Sequence, residues 1–133
     1  MPAFDALFAA AKAAHANAYA PYSRFPVGAA IRDETGRIHA AANVENAAYP
    51  AGTCAEAGAI AAMASAGGRR IAEIVVVGGA DGQLCTPCGA CRQRIREFAG
   101  PDCPVHIAGP EGLRRTFTLG QLLPHSFGPE NLP

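Results

Sequence analysis

An α/β fold is predicted for this chain: a three-layer α/β/α sandwich around one mixed sheet. Three observations predict it. Residues 71–77 are a largely β-branched apolar run interrupted only by Glu73, the pattern of a strand buried on both faces. Helical and extended segments alternate in the order α-β-β-α-β-α-β, which calls for helices on both faces of one sheet. The chain has 133 residues and is 50% hydrophobic, enough for one packed core, so residues 1–133 are expected to form a single domain.

Each element has its own signal. Residues 4–19 are alanine-rich, with Leu7, Phe8, Ala11 and Ala14 at helical spacing. Prolines 21 and 26 make the next stretch an extended loop. Residues 27–32 read as a buried strand, and Asp33-Glu34-Thr35-Gly36 as a turn. Ile38, Ala40, Ala42 and Val44 alternate, predicting a hairpin partner for that strand. A polar-aromatic loop over residues 43–52 leads to Thr53, expected to cap a helix over 54–66 that Gly67-Gly68 ends. After the 71–77 strand, Thr86-Pro87 reads as a cap plus first-turn proline for a helix over 88–98. Residues 104–108 and 113–118 read as short strands, 119–123 as a short helix, and the tail as irregular. Both crossovers around 71–77 should join parallel strands, and ligands of such sheets bind beyond strand ends near helix N-termini.

Charge excludes some functions. Lysine plus arginine equal aspartate plus glutamate at 11 each, so no nucleic-acid backbone is expected as a partner. No apolar run approaches the ~18 residues of a membrane span, and the N-terminal stretch lacks the positive start of a secretory signal. A cytoplasmic location is expected. There is neither a glycine-rich phosphate cradle nor a basic cluster, which favours a nucleoside over a nucleotide. Histidines 15, 39, 106 and 125 are scattered and read as surface or structural.

The five cysteines carry the chemistry. Cys88-x-x-Cys91 at a helix start lets two sulfurs face one point, and Cys54 opens a helix of the same kind. Helix dipoles favour anionic sulfur there by roughly 0.3–1 kcal/mol. Three thiolates can hold Zn²⁺ and leave the fourth tetrahedral position for a water, which becomes a nucleophile at neutral pH. Glu56, two residues after Cys54, is positioned to move that water's protons. Its plain alternative is a capping box with Thr53. Cys85 and Cys103 read as small buried hydrophobes. Two other metal readings exist. Cys85, Cys88 and Cys91 match part of an iron–sulfur run, but its next thiol is replaced by Ile95. A closed structural zinc site with a fourth thiol would leave Glu56 without a role.

Taken together, the sequence resembles the cytidine deaminase family in its short, homotetrameric form, whose zinc signature joins a Cys-x-Glu to a later Pro-Cys-x-x-Cys. The matching stretches are Tyr22-Ser23-Arg24-Phe25-Pro26-Val27-Gly28-Ala29-Ala30, Asn43-Val44-Glu45-Asn46-Ala47-Ala48-Tyr49-Pro50, Cys54-Ala55-Glu56, Pro87-Cys88-Gly89-Ala90-Cys91-Arg92-Gln93, and Leu122-Leu123-Pro124 through Phe127-Gly128-Pro129-Glu130. The resemblance implies hydrolysis of cytidine and deoxycytidine to uridine and deoxyuridine with release of ammonia, a step of pyrimidine salvage. It implies zinc on Cys54, Cys88 and Cys91, an activated water attacking C4, and Glu56 as the proton shuttle to ring N3 and the leaving amine. It also implies that Asn43 and Glu45 hold the ribose, that Phe25 lies against the base, and that the Ala55 amide bonds the base edge. Tyr49 and Phe127 would line the pocket, Phe127 from a neighbouring subunit, with Arg92 and Gln93 in support. Deaminases of another aminated base or of a nucleoside antibiotic are the alternatives on the same fold. The family often has arginine directly after the catalytic glutamate, where this chain has Ala57; Arg92 is the expected substitute for that charge. Gly58 gives the same helix a thin side, expected to pack on another helix.

Overall fold

In the computed structural model, which describes residues 2–133, a five-stranded mixed sheet lies between helices on both faces. Residue 1, the start of the N-terminal stretch read above, lies outside the described residues. The elements are α1 (Pro2–Ala16), β1 (Gly28–Asp33), β2 (Ile38–Ala42), a 3₁₀ turn (Tyr49–Ala51), α2 (Ala55–Ser65), β3 (Ile71–Val77), α3 (Gly89–Phe98), β4 (Pro104–Gly109), β5 (Gly112–Thr118), α4 (Leu119–Leu122) and a second 3₁₀ turn (Pro129–Asn131). Strand order is β2-β1-β3-β4-β5. β3 and β4 pair parallel; the β1–β2, β1–β3 and β4–β5 pairs are antiparallel. β2 is antiparallel to β1, as is β3, so the α2 crossover also joins two parallel strands.

The period of two along each strand divides the core. Ala29, Ile31, Ile74, Val76, Val105 and Ile107 face α2 and α3, meeting Ala59, Ile60, Met63 and Ile95. Ala30, Val75, Val77 and Ala108 face the other way, against Leu7 and Ala11 of α1. β3 is buried on both sides from Ile74 to Val77, which is why that half of its sequence is unbroken apolar rather than alternating. Full burial of each valine or isoleucine contributes about 1.5–3 kcal/mol. α1 lies almost on the backbone of β1: a Cβ at Gly28 would collide with the Ala11 carbonyl and the His15 backbone.

Four expectations are corrected. α1 stops at Ala16 rather than reaching Tyr19, because Tyr19 is drawn into pairing with the 43–45 segment. Its N–H donates to the Asn43 carbonyl at 3.0 Å, and its carbonyl accepts the Glu45 N–H at 2.8 Å. Thr53 is not the cap of α2, since its N–H and carbonyl are both bonded to Val44 at 2.9 Å; Cys54 takes the cap position. Thr86 does not cap α3 either, because its hydroxyl accepts from Arg92 at 2.9 Å, and Cys88 caps instead. Within this chain Gly58 lies against the sheet and, among the described residues, not against a helix: a Cβ there would stand 2.8 Å from Ala41 Cβ on β2. The tail over residues 126–128 is irregular, as expected, and a 3₁₀ turn follows at Pro129–Asn131.

Candidate metal centre and substrate cleft

Both helix N-cap positions are held by cysteines, and that local fact builds the site. Cys54 and Cys88 have extended backbones (ψ 154° and 166°) immediately before α2 and α3. A cap side chain sits at the helix mouth, and the residue three further on stands over the same end. Cys91 is that residue in α3. The two helix N-termini converge, and the sulfurs of Cys54, Cys88 and Cys91 all lie within 4.8 Å of one another. Sulfurs around one tetrahedral zinc with bonds of ≈ 2.3 Å stand about 3.8 Å apart, so the set fits the ion with little adjustment. All-sulfur donors suit zinc and leave its fourth position open.

Electrostatics at the thiols follow from burial and the helix mouths. Burial pushes the Cys88 thiol up, but hydrogen bonds from the Cys91 and Ala90 amides bring it below its ordinary value. Burial holds the Cys54 and Cys91 thiols above theirs, and at Cys91 the Glu56 carboxylate adds to it. Arg94 Nη1 donates to Cys91 Sγ at 3.4 Å.

Glu56 is only 5% exposed. Burial raises its carboxyl above the usual range, opposed by its own backbone amide and by Arg94. The capping box with Thr53 is ruled out by the Thr53–Val44 pairing. Glu56 instead faces a cleft of ≈ 200 Å³, with Phe25, Asn43, Cys54, Ala55 and Cys88 among its lining. Ala55 is the first residue of α2, where a backbone N–H has no intrahelical partner and can meet a ligand. Cys85 also lines this cleft, its thiol raised by burial and by the Glu56 charge, so it is not the plain core residue expected. Cys103 is one: buried, its thiol pushed up to about 11 by burial.

Asn43 and Glu45 build the rim. Asn43 Oδ1 accepts the Val27 N–H at 2.9 Å, and its Nδ2 donates to the Phe25 carbonyl at 2.9 Å, fixing the turn that presents Phe25. Glu45 accepts the Tyr22 N–H (2.9 Å), the Ser23 N–H (3.1 Å) and the Ser23 hydroxyl. These bonds, the Ser23 hydroxyl first, hold its carboxyl below the usual range. Glu45 opens not onto the cleft itself but onto a neighbouring cavity of ≈ 320 Å³, with Tyr22, Ser23 and Tyr49. Tyr49 (76% exposed) and Phe127 (57% exposed) lie outside the lining of the thiol cleft.

Arg92 and Gln93 act as ties. Arg92 donates to the carbonyls of Pro87 and Leu122, both at 2.7 Å, and to Thr86. Its donors serve the loop in front of α3, not the sulfurs as expected for a charge-balancing residue. Gln93 Nε2 donates to the Phe127 carbonyl at 2.9 Å, and Arg96 bonds Ser126 and Glu130, so the tail is pinned along α3. Arg94 escaped the sequence reading; its only signal was i,i+3 spacing from Cys91. The histidines are structural where partnered: His39 on Asp33 (2.8 Å), His106 on Glu73 (3.0 Å).

Known proteins share this arrangement. The family described as the cytidine and deoxycytidylate deaminase zinc-binding region matches residues 3–107. A cytidine deaminase of Sporosarcina psychrophila is 41% identical over 128 residues, covering 96% of this chain and 93% of its own. One from Mycobacterium tuberculosis (strain ATCC 25618 / H37Rv) is 43% identical over 120 residues, 90% of this chain and 86% of its own. The crystal structure of a cytidine deaminase from Burkholderia pseudomallei superimposes with a TM-score of 0.84 at 42% identity, over 92% of this chain and 98% of that one.

Proposed function

This chain belongs to the cytidine and deoxycytidylate deaminase family, and we propose on that footing that it hydrolyses cytidine and deoxycytidine to uridine and deoxyuridine, releasing ammonia. One observation supports this reading above the rest: three sulfurs within 4.8 Å meet beside a buried carboxylate in a cleft. Zinc on Cys54, Cys88 and Cys91 supplies Lewis-acid activation of the attacking water when bound. Glu56, kept out of solvent, takes the water proton, delivers a proton to pyrimidine N3, and later protonates the departing amine. Water adds at C4, the C4–N bond breaks, and ammonia leaves, so one water is consumed per ammonia released.

The Ala55 amide meets the base edge at the mouth of α2, and Phe25 packs on the base face. Asn43 on the cleft wall and Glu45 at the rim are assigned to the ribose hydroxyls on the family resemblance. Groups built to bond a hydroxyl reject ligands that lack it, because their own bonding capacity is then left unmet. The exposed positions of Tyr49 and Phe127 support a homotetramer in which Phe127 enters a neighbour's cleft, held by Gln93 of its own chain. The substrate is a free nucleoside of pyrimidine salvage in the cytoplasm. Among the described residues no helix is long and apolar enough to cross a membrane.

Ultraviolet monitoring of cytidine with the pure protein, before and after exposure to a zinc chelator, tests the reading. Conversion to uridine that stops on chelation and returns with zinc is expected. A zinc-loaded protein that leaves cytidine and deoxycytidine intact overturns it.

A further inference from the structure

We propose that Arg94 is the positioning residue that balances the charge of the three-sulfur set, in place of a cation at position 57. This deepens the reading above and rests on zinc being held by Cys54, Cys88 and Cys91. Three thiolates on a divalent cation leave a net charge of minus one, at a site where Cys91 is fully buried and has lost its water. Helix mouths supply partial positive charge, and a full cation supplies more. Position 57, where the resemblance leads to arginine, is alanine in the first turn of α2. Arg92 has its guanidinium on Pro87, Leu122 and Thr86.

Arg94 stands three residues after Cys91 on α3, on the same face, with Nη1 3.4 Å from Sγ. The charge has thus moved from one metal-bearing helix to the other. Hydrogen bonds to ligating atoms tune how firmly a metal is held. The Arg94 side chain is exposed at the surface of α3, so its replacement leaves the core intact.

The test measures zinc transfer from the holoenzyme to excess chelator at fixed pH, for wild type, Arg94→Gln, Arg94→Lys and the double variant Ala57→Arg/Arg94→Gln. Arg94→Gln is expected to lose zinc about 10- to 100-fold faster. Arg94→Lys should recover part of the difference, and the double variant most of it, because the cation returns from the opposite helix. Equal release by wild type and Arg94→Gln overturns the proposal, as does a loss that neither restored cation reverses. If the wild type carries zinc and deaminates cytidine while Arg94→Gln matches it, only the assignment of Arg94 fails. A wild type that binds no zinc overturns both.

Discussion

Arg92 Nη2 donates to Thr86 Oγ1 at 2.9 Å, two residues ahead of Cys88, so the loop that presents that sulfur is fastened to the helix that follows it. With the carbonyls of Pro87 and Leu122 on the same guanidinium, one side chain joins the loop, α3 and α4. Arg92→Ala removes three charge-assisted bonds and leaves half-buried acceptors unmet. A loss of about 2–4 kcal/mol in holoenzyme stability is expected from a denaturant melt. An unchanged melting curve would contradict the clamp.

Glu56→Gln keeps the shape of the buried carboxylate but cannot accept the water proton. Zinc content should stay at one ion per chain by metal analysis, while kcat falls about 10²–10⁴-fold. Turnover near that of wild type would remove Glu56 from the chemistry.

Cys88→Ala removes one of the three sulfurs proposed to hold zinc. Metal binding and folding are coupled, so this variant should be isolated without zinc and melt below the wild type, close to the chelated wild type. Retention of a full complement of zinc would show that the sulfurs do not act as one set.

Asp33 ties the β1–β2 turn. Its carboxylate accepts from the Thr35 N–H (2.8 Å), the Thr35 hydroxyl (2.7 Å) and the Arg37 N–H (3.1 Å), contacts His39 (2.8 Å), and faces the Arg37 guanidinium at 3.4 Å. Those bonds, His39 first and Thr35 next, hold its carboxyl far below the ordinary value of 3.8, and its charge in turn bears on Glu34. A depressed folded value means that the stabilisation is complete above pH 3.8 and is lost as pH falls below it. The melting-temperature gap between wild type and Asp33→Asn should be full at pH 7 and shrink below about pH 4. A gap that widens on acidification would reverse the assigned sign.

Gly58→Ala sets two magnitudes against each other. Alanine gains about 1 kcal/mol of helix propensity. The added Cβ would stand 2.8 Å from Ala41 Cβ, and overpacking costs about 1–3 kcal/mol. Net destabilisation is expected, relieved in Gly58→Ala/Ala41→Gly. A more stable single variant would show that α2 can lift from β2 at no cost.

Much of the architecture was legible because it is local. The residues 71–77 announced a strand buried on both faces, and β3 spans Ile71–Val77. The Asp33–Gly36 turn joins an antiparallel hairpin as its chemistry required. The spacing of Cys88 and Cys91, with Cys54 at the start of a like helix, pointed to the three sulfurs that the fold brings together. What failed was also local reasoning, applied where distant pairing intervened. Thr53 and Thr86 have good capping chemistry, yet Val44 and Arg92 had already engaged them.

The sequence by itself determined the elements, their order, and which side chains could hold zinc or move a proton, since these depend on residue type and on periods within one segment. Only the tertiary structure decided that sulfurs 34 positions apart meet within 4.8 Å, that Gly58 lies on Ala41, and that Arg94 rather than Arg92 reaches Cys91. The reason is physical. Those neighbours are set by sheet register and by how two helix mouths converge over one end of the sheet, and no single segment carries that information.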